Sequence, residues 1–120
     1  MEKDIKDVGL SEHLVEMLRE MTEEHQLFSQ MQDGYRLAVS LAISKNLNIN
    51  NVTLTRRKNM YAVGAIDENQ LFKYIIRENY PDFINQEYRA LEKLADLGIN
   101  FLSKKVKGKI IIDINQILNE

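Results

Sequence analysis

Apolar residues recur at intervals of three and four along much of the chain, the spacing that places side chains on one face of an α-helix. The first such stretch covers residues 12–26 and carries glutamates on its other side. Ser11 before it is a good N-cap, and Leu10 is placed to pack on Val15 as a hydrophobic staple. The apolar side of this predicted helix consists of Leu14, Val15, Leu18 and Met21.

A second helix is predicted to follow Ser29, which has with Gln32 the spacing of a capping box. Its middle, residues 37–43, is apolar nearly all round, and a helix without a polar stripe is covered on most sides. We therefore expect this helix to be central in the fold, or to lie in a subunit interface that includes Leu37 and Leu41. Asparagine tolerates left-handed backbone, and four asparagines end the helix: Asn46, Asn48, Asn50 and Asn51.

The period of the pattern changes to two between residues 52 and 65, which is typical of a half-buried strand. Two short strands around a tight turn at residues 57–59 fit this pattern, so the sequence predicts a short hairpin over 52–65. Near the end of the chain, residues 110–112 are suited to a short buried strand. Asp113 with Gln116 then has the spacing that caps a last helical turn.

Two further helices are predicted in the second half of the chain. Asp67 caps the third, with Gln70 three residues on, and Pro81 ends it. The fourth covers residues 85–97 and ends at Gly98, which we expect to be a left-handed C-cap. In the third helix the side chains expected to bury are Leu71, Phe72, Ile75 and Ile76.

These elements predict a mainly α fold with a small β component, of the α+β class, with four to five helices around a central apolar helix. The sequence has no internal repeat and no low-complexity linker, so we expect residues 1–120 to form a single domain. The length and the hydrophobic fraction of 44% are those of an ordinary globular domain.

The composition indicates the cellular compartment and whether the chain associates with a membrane. The chain has no cysteine, which excludes disulfides and thiol catalysis and fits a reducing compartment. It has no apolar run of 18 residues, and its first nine residues are charged where a signal peptide needs an apolar stretch. We therefore predict a cytoplasmic protein that does not associate with a membrane.

Charge is distributed unevenly along the chain. Residues 1–33 carry a net charge of −6, residues 34–64 carry +5 with no acid, and residues 65–120 carry −1. This division has two explanations that the sequence leaves open. The segments form acidic and basic faces for different partners, or they neutralise each other in the folded chain.

No familiar catalytic or metal-binding pattern occurs in the sequence. The chain has no Gly-rich phosphate loop and no Gly-x-Ser-x-Gly motif. The two histidines, His13 and His25, are separated by twelve residues of one predicted helix, about 18 Å, which is too far to share a metal. We therefore predict no enzymatic activity, no cofactor and no metal site.

Two basic clusters are the candidates for nucleic-acid binding. Residues 56–58 lie at the predicted hairpin tip, and further lysines follow the fourth helix. On one face they would grip several phosphates, and Tyr61 and Phe101 nearby would stack on bases. The alternative is that the lysines are solvated and Arg57 pairs with the acidic first helix, and the pI of 5.7 favours this alternative. The candidate nucleic-acid contacts are Arg56, Arg57, Lys58, Lys104, Lys105 and Lys107, and Lys109 belongs to the same cluster.

Two stretches, together about a quarter of the chain, carry a resemblance to a known family. Residues 35–42 join an aromatic residue to small and aliphatic ones, and residues 88–102 contain an acid, a small residue and a Gly followed by an aliphatic. In both the chain resembles small accessory proteins of bacterial DNA-modification and restriction loci, particularly those that accompany DNA phosphorothioation. The resemblance implies a protein that works within a DNA-directed system.

The leading hypothesis is a non-enzymatic accessory or regulatory protein of such a system, which docks on a partner protein and contacts the DNA backbone. The alternative is a homodimeric protein-protein interaction module that does not bind nucleic acid. In the alternative, Leu37 and Leu41 are buried between subunits and the acidic first helix recruits a basic partner.

Overall fold

The computed structural model of the chain describes residues 3–107 and 114–118. In these residues six helices accompany one antiparallel pair of strands, which confirms the predicted mainly α fold with a small β component. The strands are β1 (Asp7–Leu10) and β2 (Lys58–Ala62). The helices are α1 (Glu12–Glu23), α2 (Met31–Ser44), α3 (Val63–Ile66), α4 (Leu71–Asn79), α5 (Glu87–Val106) and α6 (Ile114–Leu118).

The core forms around the long helix α5, which packs most extensively on α2 and also contacts α1, α4 and β1. Both helices contribute fully buried residues to the core, among them Ala38 and Ala42 of α2 and Leu91 and Ile99 of α5. Within the described residues α2 is therefore a central helix, as its nearly continuous apolar pattern predicts. Ser40 and Ser44 form its exposed side.

The prediction that Gly98 ends the fourth helix is wrong, because α5 continues through it to Val106. Gly98 lies where α5 crosses the backbone of α2, and a methyl group on its Cα would lie 2.0 Å from the carbonyl oxygen of Ala38. The glycine is therefore required for close approach of two helices, and it does not terminate one.

The predicted hairpin over 52–65 is also wrong, because β2 pairs with β1 from the N-terminal segment. The strands are antiparallel, with Asp7 opposite Ala62 and Leu10 opposite Lys58, and a bulge separates Val8 from Gly9. The predicted turn lacks the Asn-Gly or Asp-Gly pair that closes a tight hairpin. The residues before it run as irregular chain to Arg56, whose φ of 50° turns the backbone into β2.

The helix starts differ from the sequence prediction in their capping contacts. Ser29 and Gln32 do not form a capping box, because α2 begins one residue later and the Gln32 amide donates to the carbonyl of Ala65. Asp67 caps α4 as predicted, because its carboxylate accepts from the amides of Phe72 and Lys73. Gln70 immediately precedes α4 and makes no capping bond with its side chain. The predicted burial of Leu71 is wrong, since 62% of this side chain is exposed.

Helix α5 begins with a contact from the far end of the chain. The carboxylate of Asp4 accepts hydrogen bonds from the amides of Tyr88 and Arg89, which lie in the first turn of α5 and have no partner within the helix. This contact fixes the segment before β1 to the start of α5.

The C-terminal predictions are only partly within the described residues. The last helix is present as α6, and Ile117 in it is fully buried. The predicted strand at 110–112, the cap at Asp113 and the cluster residue Lys109 lie outside the described residues. Of the helices in the described part of the chain, none is both long and apolar enough to span a membrane.

Candidate binding surfaces

The structure gives Arg57 a role inside the fold. Its Nε donates to both carboxylate oxygens of Glu92, at 3.1 and 2.9 Å, and a further nitrogen donates to the carbonyl of Asp7 at 2.7 Å. A third donor bonds the side chain of Asn59. The carboxylate of Glu92 is almost completely buried. Arg57 therefore pairs with α5, which corrects the expectation that it pairs with the acidic first helix.

The two neighbours of Arg57 are more accessible. Lys58 lies 3.7 Å from a carboxylate oxygen of Glu12, and both side chains are about half exposed, so this pair contributes little to stability. Arg56 is exposed, and its side chain forms no hydrogen bond or ion pair within the described residues. The predicted triplet thus presents Arg56 and Lys58 to solvent.

The lysines of the second basic cluster, Lys104, Lys105 and Lys107, lie at the C-terminal end of α5. Twelve residues of α5 separate Lys104 from Glu92, the partner of Arg57, which corresponds to about 18 Å along the helix axis. Lys104 and Lys107 border a groove of about 500 Å³ whose opposite wall includes Met17 and Glu20 of α1. The two predicted basic clusters therefore do not form one continuous surface.

The aromatic side chains proposed to stack on bases make contacts within the chain. Tyr61 meets the buried ring of Tyr35 edge to face, with 5.4 Å between ring centroids. The ring of Phe101 lies 5.8 Å from the ammonium of Lys45 and 5.5 Å from that of Lys105. Both aromatic residues are half-buried, so neither is a fully open stacking surface.

Two buried carboxylates of α5 accept from backbone amides along the free edge of β1 and of the residue that follows it. Glu92 accepts from the amide of Gly9 at 3.1 Å, and Asp96 accepts from the amide of Ser11 at 2.8 Å. Four residues of helix rise about 6 Å and two residues of strand rise about 6.7 Å, so the two spacings match. The carboxylates thus replace a missing third strand on this side of β1.

Burial raises the pKa of Glu92 in spite of the neighbouring Arg57 guanidinium, and burial also raises that of Asp96 in spite of its two bonds from Ser11. Glu87 behaves oppositely: although burial opposes ionisation, bonds from its own amide, Arg77 and the Asn85 amide lower its pKa. Burial also raises the pKa of Tyr35, whose hydroxyl donates to the carbonyl of Gly9. These groups hold the fold together around β1 and α5.

Ser11, Asp96 and the nearby His13 border one small cleft, a combination of residue types found in hydrolases. The Ser11 hydroxyl donates to Asp96 at 2.9 Å and accepts from the amide of Thr55 at 2.8 Å, and the residue is buried. The hydroxyl is therefore buried, and it both donates and accepts within the fold. Ser11 precedes α1 as predicted but makes no side-chain cap there.

The predicted subunit interface on α2 has little free surface. Leu41 is 4% exposed because it packs in the chain's own core, and Leu37 is half-buried. Among the described residues, no group of three or more histidines, aspartates or glutamates is placed to hold a metal ion.

The largest exposed apolar side chains lie elsewhere, on and after α4. Leu71 and Tyr74 are 62% and 58% exposed and lie one turn apart on the same side of the helix, and Ile84 in the following loop is 59% exposed. Beside Leu71 is a groove of about 350 Å³ whose lining includes Ile66 and Phe72. Sequence reasoning missed this surface, although the apolar stripe of α4 is wider than one buried face requires.

Comparisons of this chain with models of protein families, with curated proteins and with solved structures found no significant match.

Proposed function

We propose that this protein is a non-enzymatic binding protein that docks on a partner protein through the outer face of α4. The observation that supports the proposal is the pair Leu71 and Tyr74, which are large and about 60% exposed on one side of a single helix. Exposed apolar side chains next to a groove are typical of docking surfaces, and Leu and Tyr bury a large area on contact.

The contacts around α4 keep this face presented to solvent. The side opposite Leu71 and Tyr74 is attached to the core by Ile76, which is fully buried. Next to Tyr74, Arg77 bonds the buried carboxylate of Glu87 at 3.0 Å, and its guanidinium lies 6.0 Å from the centroid of the Tyr74 ring. Asp67 fixes the first turn through two backbone amides. Docking on this face therefore requires little rearrangement of the chain.

We further propose that the partner belongs to a bacterial DNA-directed system, in which this protein is an accessory or regulatory component. This part is supported by the resemblance of residues 35–42 and 88–102 to the small accessory proteins of such systems. Contact with the DNA backbone through the exposed lysines and Arg56 belongs to the same proposal. The alternative, a homodimer through α2, has less support because Leu41 already packs inside the chain.

A photo-crosslinking amino acid at position 74 tests the docking face in living cells. We expect irradiation to give a defined adduct from position 74 and none from position 23, which is an exposed control site on α1. The substitution Leu71→Ser should abolish the adduct while leaving the thermal melt unchanged, because the side chain is largely exposed.

The mass of the adduct identifies the partner class. An adduct of twice the chain mass would show that a second copy covers α4, and crosslinking from position 37 would show that α2 forms a subunit interface. An adduct from position 74 that is no stronger than the one from position 23, or that persists with Leu71→Ser, would refute docking through α4.

A further inference from the structure

A cleft of about 380 Å³ lies between two loops, the one that follows α2 and the one that follows α4. This is within the size range of sites that bind small molecules. Asn46, with a φ of 52°, begins the first loop in the left-handed conformation that asparagine tolerates. The second loop contains Pro81, which starts a short 3-10 turn after α4.

Side-chain amides dominate the chemistry of this cleft. Four of the chain's eleven asparagines line it, and Asp82 is the single charged residue among its described lining residues. The remaining walls are apolar or aromatic, including Tyr80 and Phe83. The four asparagines are Asn46, Asn48, Asn50 and Asn79.

Several of these polar groups are not used by the fold. Asn48 accepts from the amide of Asn50 through Oδ1, which leaves its Nδ2 as a donor. Asn79 donates through Nδ2 to the carbonyl of Ile75, which leaves its Oδ1 as an acceptor. Within the described residues, no hydrogen bond is formed by the side-chain amides of Asn46 and Asn50 or by the carboxylate of Asp82. The cleft thus offers both donors and acceptors, next to a carboxylate.

We propose that this cleft binds an uncharged saccharide. Adjacent hydroxyl groups of a sugar ring both donate and accept, which matches a set of amides with a carboxylate. The apolar C–H face of such a ring packs on aromatic side chains, and Tyr80 and Phe83 are half-buried at the cleft. The described lining residues include no lysine or arginine, and the ammonium of Lys93 lies outside the lining, 5.6 Å from the centroid of the Phe83 ring, so an anionic ligand such as a phosphate contacts no cation in the cleft.

This site is separate from the proposed docking face and does not depend on it. Leu71 and Tyr74 lie in the first half of α4, whereas the cleft begins at Asn79, the last residue of the helix. Burial raises the pKa of Tyr80, so its hydroxyl stays protonated at the cleft over the physiological pH range.

A titration followed by nitrogen–proton NMR of the side-chain amide groups tests the proposal. The probes are neutral hexoses, N-acetylglucosamine and short oligosaccharides, with adenosine and uridine as a second set. We expect saturable shifts of the lining asparagine amides with at least one saccharide. Asp82→Ala should weaken that binding about tenfold, because it removes hydrogen bonds to a charged acceptor.

The matched control is Asn69→Ala, an exposed asparagine outside the cleft, which should leave the affinity unchanged. The backbone spectrum of each variant shows whether it is folded. If Asp82→Ala does not fold, Asn50→Ala is the replacement variant, because Asn50 is a second exposed residue that lines the cleft. Three results would overturn the proposal: no shift with any saccharide, shifts that the lining variants do not weaken, or shifts with the nucleosides alone.

Discussion

Arg56 and Arg57 are neighbours of the same type, yet their environments differ completely. The Arg57 guanidinium is the partner of the buried Glu92 carboxylate and bonds the chain at Asp7 and Asn59, whereas Arg56 is exposed. Removing Arg57 leaves Glu92 buried without its counter-charge. We expect Arg57→Ala to lower the free energy of unfolding by about 2 to 3 kcal/mol, measured by urea denaturation.

Arg56→Ala is the matched control and should change the free energy of unfolding by less than about 0.5 kcal/mol. Arg57→Lys should recover only part of the loss, because an ammonium group cannot reproduce the forked contacts of a guanidinium. Equal stability of the two alanine variants would refute the role assigned to Arg57. The sequence could not distinguish the two arginines, since the difference depends on a glutamate 35 residues away.

Gly98 gives a second prediction at a single residue. A methyl group there would meet the carbonyl of Ala38 on α2, and a backbone atom cannot move aside without separating the helices. We expect Gly98→Ala to destabilise the fold by about 3 kcal/mol or more, measured by thermal and urea denaturation. Gly64→Ala is the control, because a methyl group at Gly64 meets nothing within 4 Å, and it should be neutral or slightly stabilising. A neutral Gly98→Ala would show that α2 and α5 do not pack this closely.

Among the elements, the long periodic helices could be predicted from sequence, whereas for the strands the period of two indicated only β2, and neither β1 nor its pairing with β2 was predicted. The apolar spacing located α1 and α2 well, because a face that repeats over three or more turns is a strong signal. β1 has four residues and no periodicity to detect, and its partner lies 48 residues beyond its last residue. The end of α5 was misplaced because a glycine that permits helix contact has the same sequence signature as a C-cap.

The buried carboxylates along β1 could have been suspected only in part. Glu92 and Asp96 are spaced i and i+4 beside the apolar stripe of α5, which shows that they share a side of the helix. Nothing in the sequence indicates that a strand edge lies opposite them. Their partners, the amides of Gly9 and Ser11, are more than 80 residues away.

The pH dependence of stability tests this edge contact. Because burial raises the pKa of Asp96 above its unfolded value, the folded state binds the proton more tightly than the unfolded state does. Protonated Asp96 therefore contributes its full stabilisation below the ordinary aspartate pKa of about 3.9, and this contribution is lost as the pH rises through the pKa of Asp96 in the folded state. We expect Asp96→Asn to lack this loss, so its stability relative to wild type should improve from about pH 4 to pH 7, measured by urea denaturation at each pH.

Asp96→Asn should remain folded, because an amide can accept from the Ser11 amide and donate to the Ser11 hydroxyl. Asp96→Ala leaves the buried Ser11 amide without an acceptor and the Ser11 hydroxyl with only the bond from the Thr55 amide, and it should cost about 2 to 3 kcal/mol. Parallel pH profiles for wild type and Asp96→Asn would contradict the raised pKa of Asp96.

Across the whole molecule, several cations of the basic middle segment lie next to carboxylates of the more acidic segments. Of the five cations in the basic middle segment, Arg57 and Lys58 meet carboxylates of α5 and α1, and Arg36 lies 3.6 Å from Asp33. These contacts favour the explanation that the segments neutralise each other. Burial of a pair could not be predicted from charge summed along the chain, because that sum does not say which surfaces meet.

The basic residues outside the Arg57–Glu92 pair allow the nucleic-acid part of the proposed function to be tested without breaking that pair. Lys104, Lys105 and Lys107 lie at the C-terminal end of α5, about 18 Å along the helix axis from Glu92, whose partner Arg57 lies between Arg56 and Lys58 in sequence. If the α5 lysines contact duplex DNA, replacing all three with alanine should flatten the dependence of log affinity on log salt by about 2.7, since each lost phosphate contact contributes about 0.9. Replacing Arg56 and Lys58 together should flatten this salt dependence by about 1.8 if that cluster also contacts DNA.

Both sets of substitutions leave the Arg57–Glu92 pair intact, so a thermal melt close to that of wild type should accompany any loss of binding. A wild-type protein that does not bind duplex DNA even at low salt would remove nucleic acid from the proposed function and leave docking through α4 to stand alone.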